Sequence, residues 1–289
     1  MTRTKAFLRV LALTLALALT LAGCTNFFYN RLDTLAAWYV QDLVALDDSQ
    51  RNGLRTWLND TLQWHRRSEL VRYAKFARDL SETTQQSAST STYQSIERQL
   101  EEFGSRLVER AAPDAARLLM SLTPEQIDEF EANLAEKSRE RNQKNIEALE
   151  KGKWHEQRAK GIEKQLERWT GAVTKEQRQL IAQLSSEFHS TTSDWLESQE
   201  RWRQAMFGAL RARFTADQSP ADVEERILAL LRTPEAQWTR AYLDKSTQNR
   251  QQSLTVLGAI DASLTVPQRA HLRRELLQWA ERLEAMVES

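Results

Sequence analysis

Residues 181–209 read IAQLSSEFHSTTSDWLESQERWRQAMFGA. Within them Ile181, Leu184, Phe188, Thr191, Trp195, Gln199, Trp202, Met206 and Ala209 recur at steps of three and four, the spacing of one helix face. Held over four heptads, the stripe predicts one long helix packed along its length on neighbours. The same period appears toward both ends, in Phe28, Leu32, Leu35, Tyr39, Leu43 and Leu46, and in Leu272, Leu276, Trp279, Leu283 and Met286. Alternating apolar and polar runs of the strand type are absent. The 289 residues include only 8 Gly and 5 Pro, too few turn formers for a β-sandwich or a Rossmann-type enzyme. Pro124, Pro220 and Pro234 each follow Ser or Thr, the order of an N-cap and a first-turn proline, and Pro113 and Pro267 also fall near expected helix starts. All five are therefore read as opening helices. The stretch 81–92, SETTQQSASTST, is expected to be a solvated loop. The expected fold is all-α, an elongated helical bundle of about six to eight helices.

Forty basic and forty acidic side chains cancel, so there is no electrostatic footprint for nucleic acid. The lone Cys excludes an intramolecular disulfide framework and any multi-Cys zinc module. Its position is informative. Arg3, Lys5 and Arg9 precede the apolar run Val10 to Ala22, which ends in Leu21-Ala22-Gly23-Cys24. About 13 residues at helical rise span roughly 20 Å, short of the ~30 Å hydrocarbon core, so the run reads as a signal peptide rather than a transmembrane helix. Its end resembles the bacterial lipobox. That resemblance implies cleavage between Gly23 and Cys24, acylation of Cys24, and anchoring of the mature chain to a membrane. Thr25 in place of Asp implies, by similarity to the sorting rule of enteric bacteria, the periplasmic face of the outer membrane. Residues 1–23 are thus expected to be a signal peptide and 24–289 a single all-helical periplasmic domain. The mature chain is slightly acidic and offers no attraction to anionic lipid heads, which leaves the membrane work to the acyl group.

A phrase of the form [Leu/Val]-[Asp/Thr]-x-x-Gln occurs four times, at 46–50, 122–126, 173–177 and 264–268. It predicts four capping boxes, with Asp47, Thr123, Thr174 and Thr265 as caps and Gln50, Gln126, Gln177 and Gln268 reaching back to them. A degenerate fifth copy, Arg232-Thr233-Pro234-Glu235-Ala236, lacks the Gln. The phrase resembles the Leu-Thr-x-x-Gln signature of the Spy/CpxP group of periplasmic proteins, small all-helical chaperones and stress adaptors; residues 122–126 and 264–268 match it fully. A second resemblance rests on Tyr29-Asn30-Arg31-Leu32-Asp33-Thr34-Leu35, Trp38, Asp42 and Leu43, and on Trp64-His65-Arg66-Arg67-Ser68-Glu69-Leu70. These segments resemble an uncharacterised family of proteobacterial lipoproteins, which implies an all-helical lipoprotein and brings no activity with it.

The four histidines, His65, His155, His189 and His271, show no metal-binding spacing, and no metal or other cofactor is expected. His65 with Glu69 and His271 with Glu275 are i,i+4 pairs. The stripe Leu54, Leu58, Leu62 reaches Tyr73, Phe76 and Leu80 only through Arg66 and Glu69. Two readings stay open there: an internal Arg66–Glu69 salt bridge, or a polar recognition spot that includes His65. The polar stretches 135–159 and 244–253 are either solvated bundle ends or a surface for a partner. Trp154, with no apolar company nearby in sequence, is the candidate exposed anchor. Phosphate loops, nucleophile elbows and Ser-His-Asp layouts are absent, so no catalytic residue is expected and the chain is read as non-enzymatic. The expected role is a protein-binding or structural envelope lipoprotein, its partners being the membrane through acylated Cys24 and a protein partner or client in the periplasm. The alternatives are a Spy/CpxP-like chaperone or stress adaptor, and an envelope hydrolase with a site built across helices.

Overall fold

The computed structural model describes residues 29–215 and 218–288. Gly23, Cys24, Phe27 and Phe28 lie outside the described residues, as does the whole expected signal peptide. In chain order the helices are α1 (Leu32–Gln41), α2 (Asp48–Trp64), a π-turn (His65–Glu69), α3 (Leu70–Thr83), α4 (Thr90–Met120) and α5 (Pro124–Glu150). They continue with α6 (Trp154–Thr170), α7 (Lys175–Ser185), α8 (Thr192–Ala212), α9 (Pro220–Arg232), a 3-10 turn (Pro234–Gln237), α10 (Arg240–Ser263) and α11 (Val266–Glu288). The fold is all-α as expected; among the described residues there is no strand, and the helices number ten when those joined by the π-turn are taken as one.

The chain forms two compact units. The first takes the chain up to Glu69 with Gln99–Asn142 and Leu196–Trp238; the second takes Leu70–Arg98, Gln143–Trp195 and Thr239 onward. Neither is contiguous in sequence, so no linker or shift in composition marks a boundary. In the first unit Leu54, Ile127, Phe207, Leu210 and Ile227 are almost fully buried in one core. In the second, Leu166, Ile181, Phe188, Val256 and Ile260 form another, and α11 packs along α3.

The 181–209 stripe is not one helix. It breaks between Ser185 and Thr192, and its two halves serve different cores, Ile181 and Phe188 the second, Met206 and Ala209 the first. Side chains from elsewhere in the second unit take up the backbone groups freed by the break. His155 Nδ1 lies 3.0 Å from the Ser185 carbonyl, Gln252 Nε2 donates to the Leu184 carbonyl at 2.9 Å, and the Asn249 amide bonds both the N–H and the carbonyl of His189. The Arg158 guanidinium lies 3.6 Å over the Phe188 ring. Such bonds meet the requirement that buried backbone groups find partners, and they use much of the polar stretch 244–253 internally.

Other expectations need correction. The first helix ends at Gln41, and Leu43 and Leu46 are buried from an irregular segment ahead of α2. Pro113 sits inside α4; the bond it cannot give is offset by burial of Ala112 and Ala116 beside it. Thr233 forms no capping box, its hydroxyl donating back to the Ala229 carbonyl, so the fifth copy is a 3-10 turn. The low-complexity stretch is a largely exposed loop only over 84–89, since 81–83 end α3 and 90–92 open α4, and that loop is tied down: Asp261 accepts from the Ala88 N–H at 2.7 Å and from the Tyr93 hydroxyl at 2.8 Å, and Arg269 bonds Asp261 and the Gln86 carbonyl. Burial and the Asp261 carboxylate both push the Tyr93 phenol well above its ordinary range.

Candidate functional site

All four capping boxes form. Asp47 accepts from the Gln50 N–H, and Thr174 from the Gln177 N–H, with each glutamine returning to its cap's own N–H. Thr123 with Gln126 and Thr265 with Gln268 do the same. What the phrase could not foretell is that the boxes pair. In the first unit Gln50 Nε2 donates to Gln126 Oε1 at 2.9 Å and Gln126 Nε2 to Gln50 Oε1 at 2.8 Å. In the second unit Gln177 and Gln268 exchange the same two bonds at 2.9 Å each. Spare N–H groups go to the carbonyls of Ser121, Ala45, Ser263 and Ala172. Each pair is a closed amide ring joining two helix N-termini, so the eight residues are a structural lock repeated once per unit.

Along α5 a polar ladder follows from the first ring. Gln126, Glu129, Asn133, Lys137 and Arg141 fall at helical steps, and they bond in turn the Ala45 carbonyl, the Ala45 N–H, the Leu43 carbonyl, the Asp42 carboxylate and the Tyr39 hydroxyl. The start of the polar stretch 135–159 is thus the clamp on the irregular segment 42–46 and on α1. Farther along, Gly152 at φ +63 closes α5, with the Lys153 N–H on the Ala148 carbonyl. Trp154 follows; it is half-buried against the second core and edge-on to His155 at 5.0 Å between centroids. It is not an exposed anchor, because its apolar neighbours Ile181 and Phe188 are distant in sequence.

Inward-facing positions run 50, 54, 61, 65 and 69, then restart at 70, 74, 77, 81 and 84. The π-turn inserts one residue of register at 69/70, and it makes Leu70, Ala74 and Ala77 the buried positions where Tyr73, Phe76 and Leu80 were expected. Both His65 and Glu69 point inward from it. The expected Arg66–Glu69 bridge does not form. Glu69, fully buried, is held bidentately by Arg106, with Nε–O distances of 3.0 and 3.1 Å and Nη2 at 2.7 Å. Arg66 turns to the Asn30 side chain and the face of Tyr29. The register shift explains the divergence, since it rotates 66 and 69 to different sides.

His65 Nδ1 lies 2.9 Å from the Tyr29 hydroxyl. Burial drives the imidazole down to about 4, against a partial upward pull from Glu69, and burial drives the Tyr29 phenol up to about 12. A neutral phenol therefore meets a neutral imidazole. What the cluster can do is lose stability when the imidazole is forced to charge. His271 stacks on Gly171, whose φ of +80 and missing Cβ leave the ring 3.8 Å from where that Cβ would be. His271 also faces Glu275 at 3.7 Å. Among the described residues no three His, Cys, Asp or Glu side chains are placed to hold a metal ion, and no helix is long and apolar enough to cross a membrane.

A cleft of about 450 Å³ opens in the first unit, between α2 and the C-terminal end of α4. Leu54 and Leu118 line it together with Gln50, Trp57, Asp60, Asp114 and Arg117. Small residues make room for it: Ser49, Gly53 and Thr56 lie on the cleft side of α2, and a Cβ added at Gly53 would meet nothing within 4 Å. Trp57 lines the cleft and packs on the first core, and its indole N–H is shut off from solvent with no acceptor. Asp114 is taken by Arg110 at 3.3 Å and by Arg117 at 2.5 Å, whereas Asp60 is exposed. The signal available in the sequence was the 49, 53, 56, 60 spacing of small and polar residues, which leaves one helix face without bulk.

A family model described as a family of unknown function (DUF6279) matches residues 42–243. Three of the four capping boxes and the segment Trp64–Leu70 lie inside the match. No curated protein and no solved structure matches the chain.

Proposed function

The chain belongs to the DUF6279 family, whose description assigns no role; from its N-terminal sequence and its cleft we propose a non-enzymatic, lipid-anchored envelope protein whose first unit holds a segment of a protein partner. The observation that carries the reading is the α2–α4 cleft, with its aliphatic floor, its buried donor without an acceptor at Trp57 and its exposed carboxylate at Asp60. A peptide strand whose entry turns the Trp57 indole toward the cleft supplies a carbonyl for its N–H, and a basic side chain on the strand meets Asp60. Leaving a buried donor unmet costs roughly 1–3 kcal/mol, so an occupant that accepts from Trp57 recovers part of its binding energy there. The lipobox at Leu21–Cys24 supports the anchor, and Thr25 supports the periplasmic face of the outer membrane.

The test places a photo-crosslinking side chain at Gly53 in the full chain expressed in cells. The reading expects a discrete protein adduct whose yield drops at least about tenfold on Trp57→Phe with Asp60→Lys, the order expected when one buried hydrogen bond and one charge contact are lost. Adduct yield unchanged by those substitutions overturns it. Membrane sedimentation of Cys24→Ala, with loss of acyl-chain labelling, tests the anchor separately. The chaperone reading rests on the Leu-Thr-x-x-Gln copies. Because all four glutamines are spent in internal rings, the copies support a scaffold role over a client surface. Suppression of a client's thermal aggregation at near-stoichiometric ratio, unaffected by Trp57 and Asp60 changes, would favour the chaperone instead.

A further inference from the structure

Helix α1 wears its apolar residues on both sides. Ala37 is buried and Val40 packs on the first core, while Leu35, Trp38 and Tyr39 on the opposite side are 43%, 66% and 44% exposed. Their positions, i, i+3 and i+4, make one patch. A tryptophan two-thirds exposed beside an exposed leucine and tyrosine is an arrangement that soluble surfaces rarely leave without an occupant. Nor is the exposure a consequence of fraying. The α5 ladder fixes which side of α1 faces out: Arg141 Nη2 donates to the Tyr39 hydroxyl at 2.9 Å, Lys137 pairs with Asp42 at the helix end, and Gln41 Nε2 caps the Ala37 carbonyl at 3.1 Å.

We propose that this face of α1 is a membrane-seating surface, with Leu35, Trp38 and Tyr39 lying in the headgroup layer of a bilayer. The inference rests on the anchored reading above. Tyr29, buried against His65, lies five residues beyond Cys24, so the tether to the body spans at most ~18 Å at about 3.5 Å per residue, and α1 is the first of the described helices. Three side chains are too few to hold a protein on a membrane from free solution, but a tether makes their insertion intramolecular, at an effective concentration on the order of millimolar. Chemistry selects lipid as the occupant. Tryptophan and tyrosine rings favour the interface, where an apolar body and a polar tip are both accommodated. The Tyr39 hydroxyl, held by Arg141, lies at the wet edge of the patch, with Asp42 and Lys137 beside it. Lys137 is neutralised by Asp42, whereas Arg141 remains a cation at the edge of the patch, so seating depends mainly on the rings and anionic lipid adds a modest attraction.

The single Cys makes the test independent of acylation in the cell. The mature chain from Cys24 onward is coupled through that thiol to vesicles of phosphatidylcholine containing a maleimide headgroup lipid, with acyl chains either plain or brominated. Nine tryptophans emit, and bromine quenches only a ring that reaches the acyl boundary. The expected result is a quenchable component on the order of a tenth of the emission, absent in Trp38→Phe, and absent in Leu35→Ser/Tyr39→Ser, which keeps the Trp38 reporter and unseats it. Far-UV dichroism confirms that each variant stays helical. No quenching in the parent chain, or quenching that survives Trp38→Phe, overturns the proposal. So does a dimer of the uncoupled chain that dissociates on Trp38→Ser, because the face then belongs to a second copy. Failure of the anchored reading appears elsewhere, as a Cys24→Ala chain that still sediments with membranes.

Discussion

Replacing Gln177 by leucine tests whether the amide rings hold the fold. Gln177 is 2% exposed. Its Oε1 accepts from the Thr174 N–H at 3.0 Å and from Gln268 Nε2 at 2.9 Å; its Nε2 donates to Gln268 Oε1 at 2.9 Å and to the Ser263 carbonyl at 3.1 Å. Leucine keeps the volume and removes all four bonds. Losing the reciprocal half of the capping box costs about 1 kcal/mol. One Gln268 N–H is then left buried without a partner, at roughly 2 kcal/mol, for a total of about 3 kcal/mol. Gln268→Leu alone costs a similar amount for the same reasons. The double change removes both amides together and leaves no stranded side-chain donor, so only the two cap losses remain and it costs about 2 kcal/mol rather than 6, a coupling of about 4 kcal/mol. Urea unfolding followed by tryptophan emission and dichroism measures the cycle. Each single variant should lower the midpoint of the second unit's transition by about 1–2 M. Gln50→Leu should act on the first unit in the same way. A single-variant cost below about 1 kcal/mol, or additivity within about 0.5 kcal/mol, refutes the ring as a stabilising device.

Three further perturbations follow from the same geometry. His65 titrates near its ordinary value when unfolded and at about 4 when folded, so its contribution is present above pH 6.5 and is lost as pH falls toward 4; that loss amounts to about 3 kcal/mol. Urea midpoints between pH 7 and pH 4 should therefore fall more steeply for the parent than for His65→Gln, and parallel curves would contradict the buried neutral imidazole. Arg106→Met strands the fully buried Glu69 carboxylate and should cost about 3–5 kcal/mol. Glu69→Gln, which leaves the charge on the partly exposed Arg106, should cost less, and the reverse order in thermal or chemical denaturation would refute the account. Gly53→Ala adds a methyl into open space on α2 and should stabilise the first unit by roughly 0.5–1 kcal/mol, whereas a loss would show that the cleft is closed in solution.

The legible part of this protein was everything that depends on neighbours within four residues. Heptad steps identified α11 and the all-α class, and each Asp/Thr-x-x-Gln phrase forms its box, because a cap needs only its own N3 amide. Where sequence reading failed, a partner distant along the chain decided. The 181–209 period is continuous on paper, yet His155, Asn249 and Gln252 satisfy the backbone of a break after Ser185. One of the two readings paired Glu69 with Arg66, and one residue of π-register delivers it to Arg106 instead. The cleft beside Gly53 was equally out of reach, since an empty volume requires two helices and Leu118 lies 65 positions from Gly53.

The same division runs through the surface. Periodicity puts Leu35, Trp38 and Tyr39 on a helix; only the α5 ladder, closing through Lys137 and Arg141, determines that they face outward. Local hydrogen bonds and side-chain period are short-range and therefore written in the order of residues. Pairing of boxes, burial of charge and the choice of an outward face are settled among segments far apart in the chain, 76 positions for Gln50 with Gln126, 37 for Glu69 with Arg106 and 102 for Tyr39 with Arg141, and that information exists only once the chain has folded.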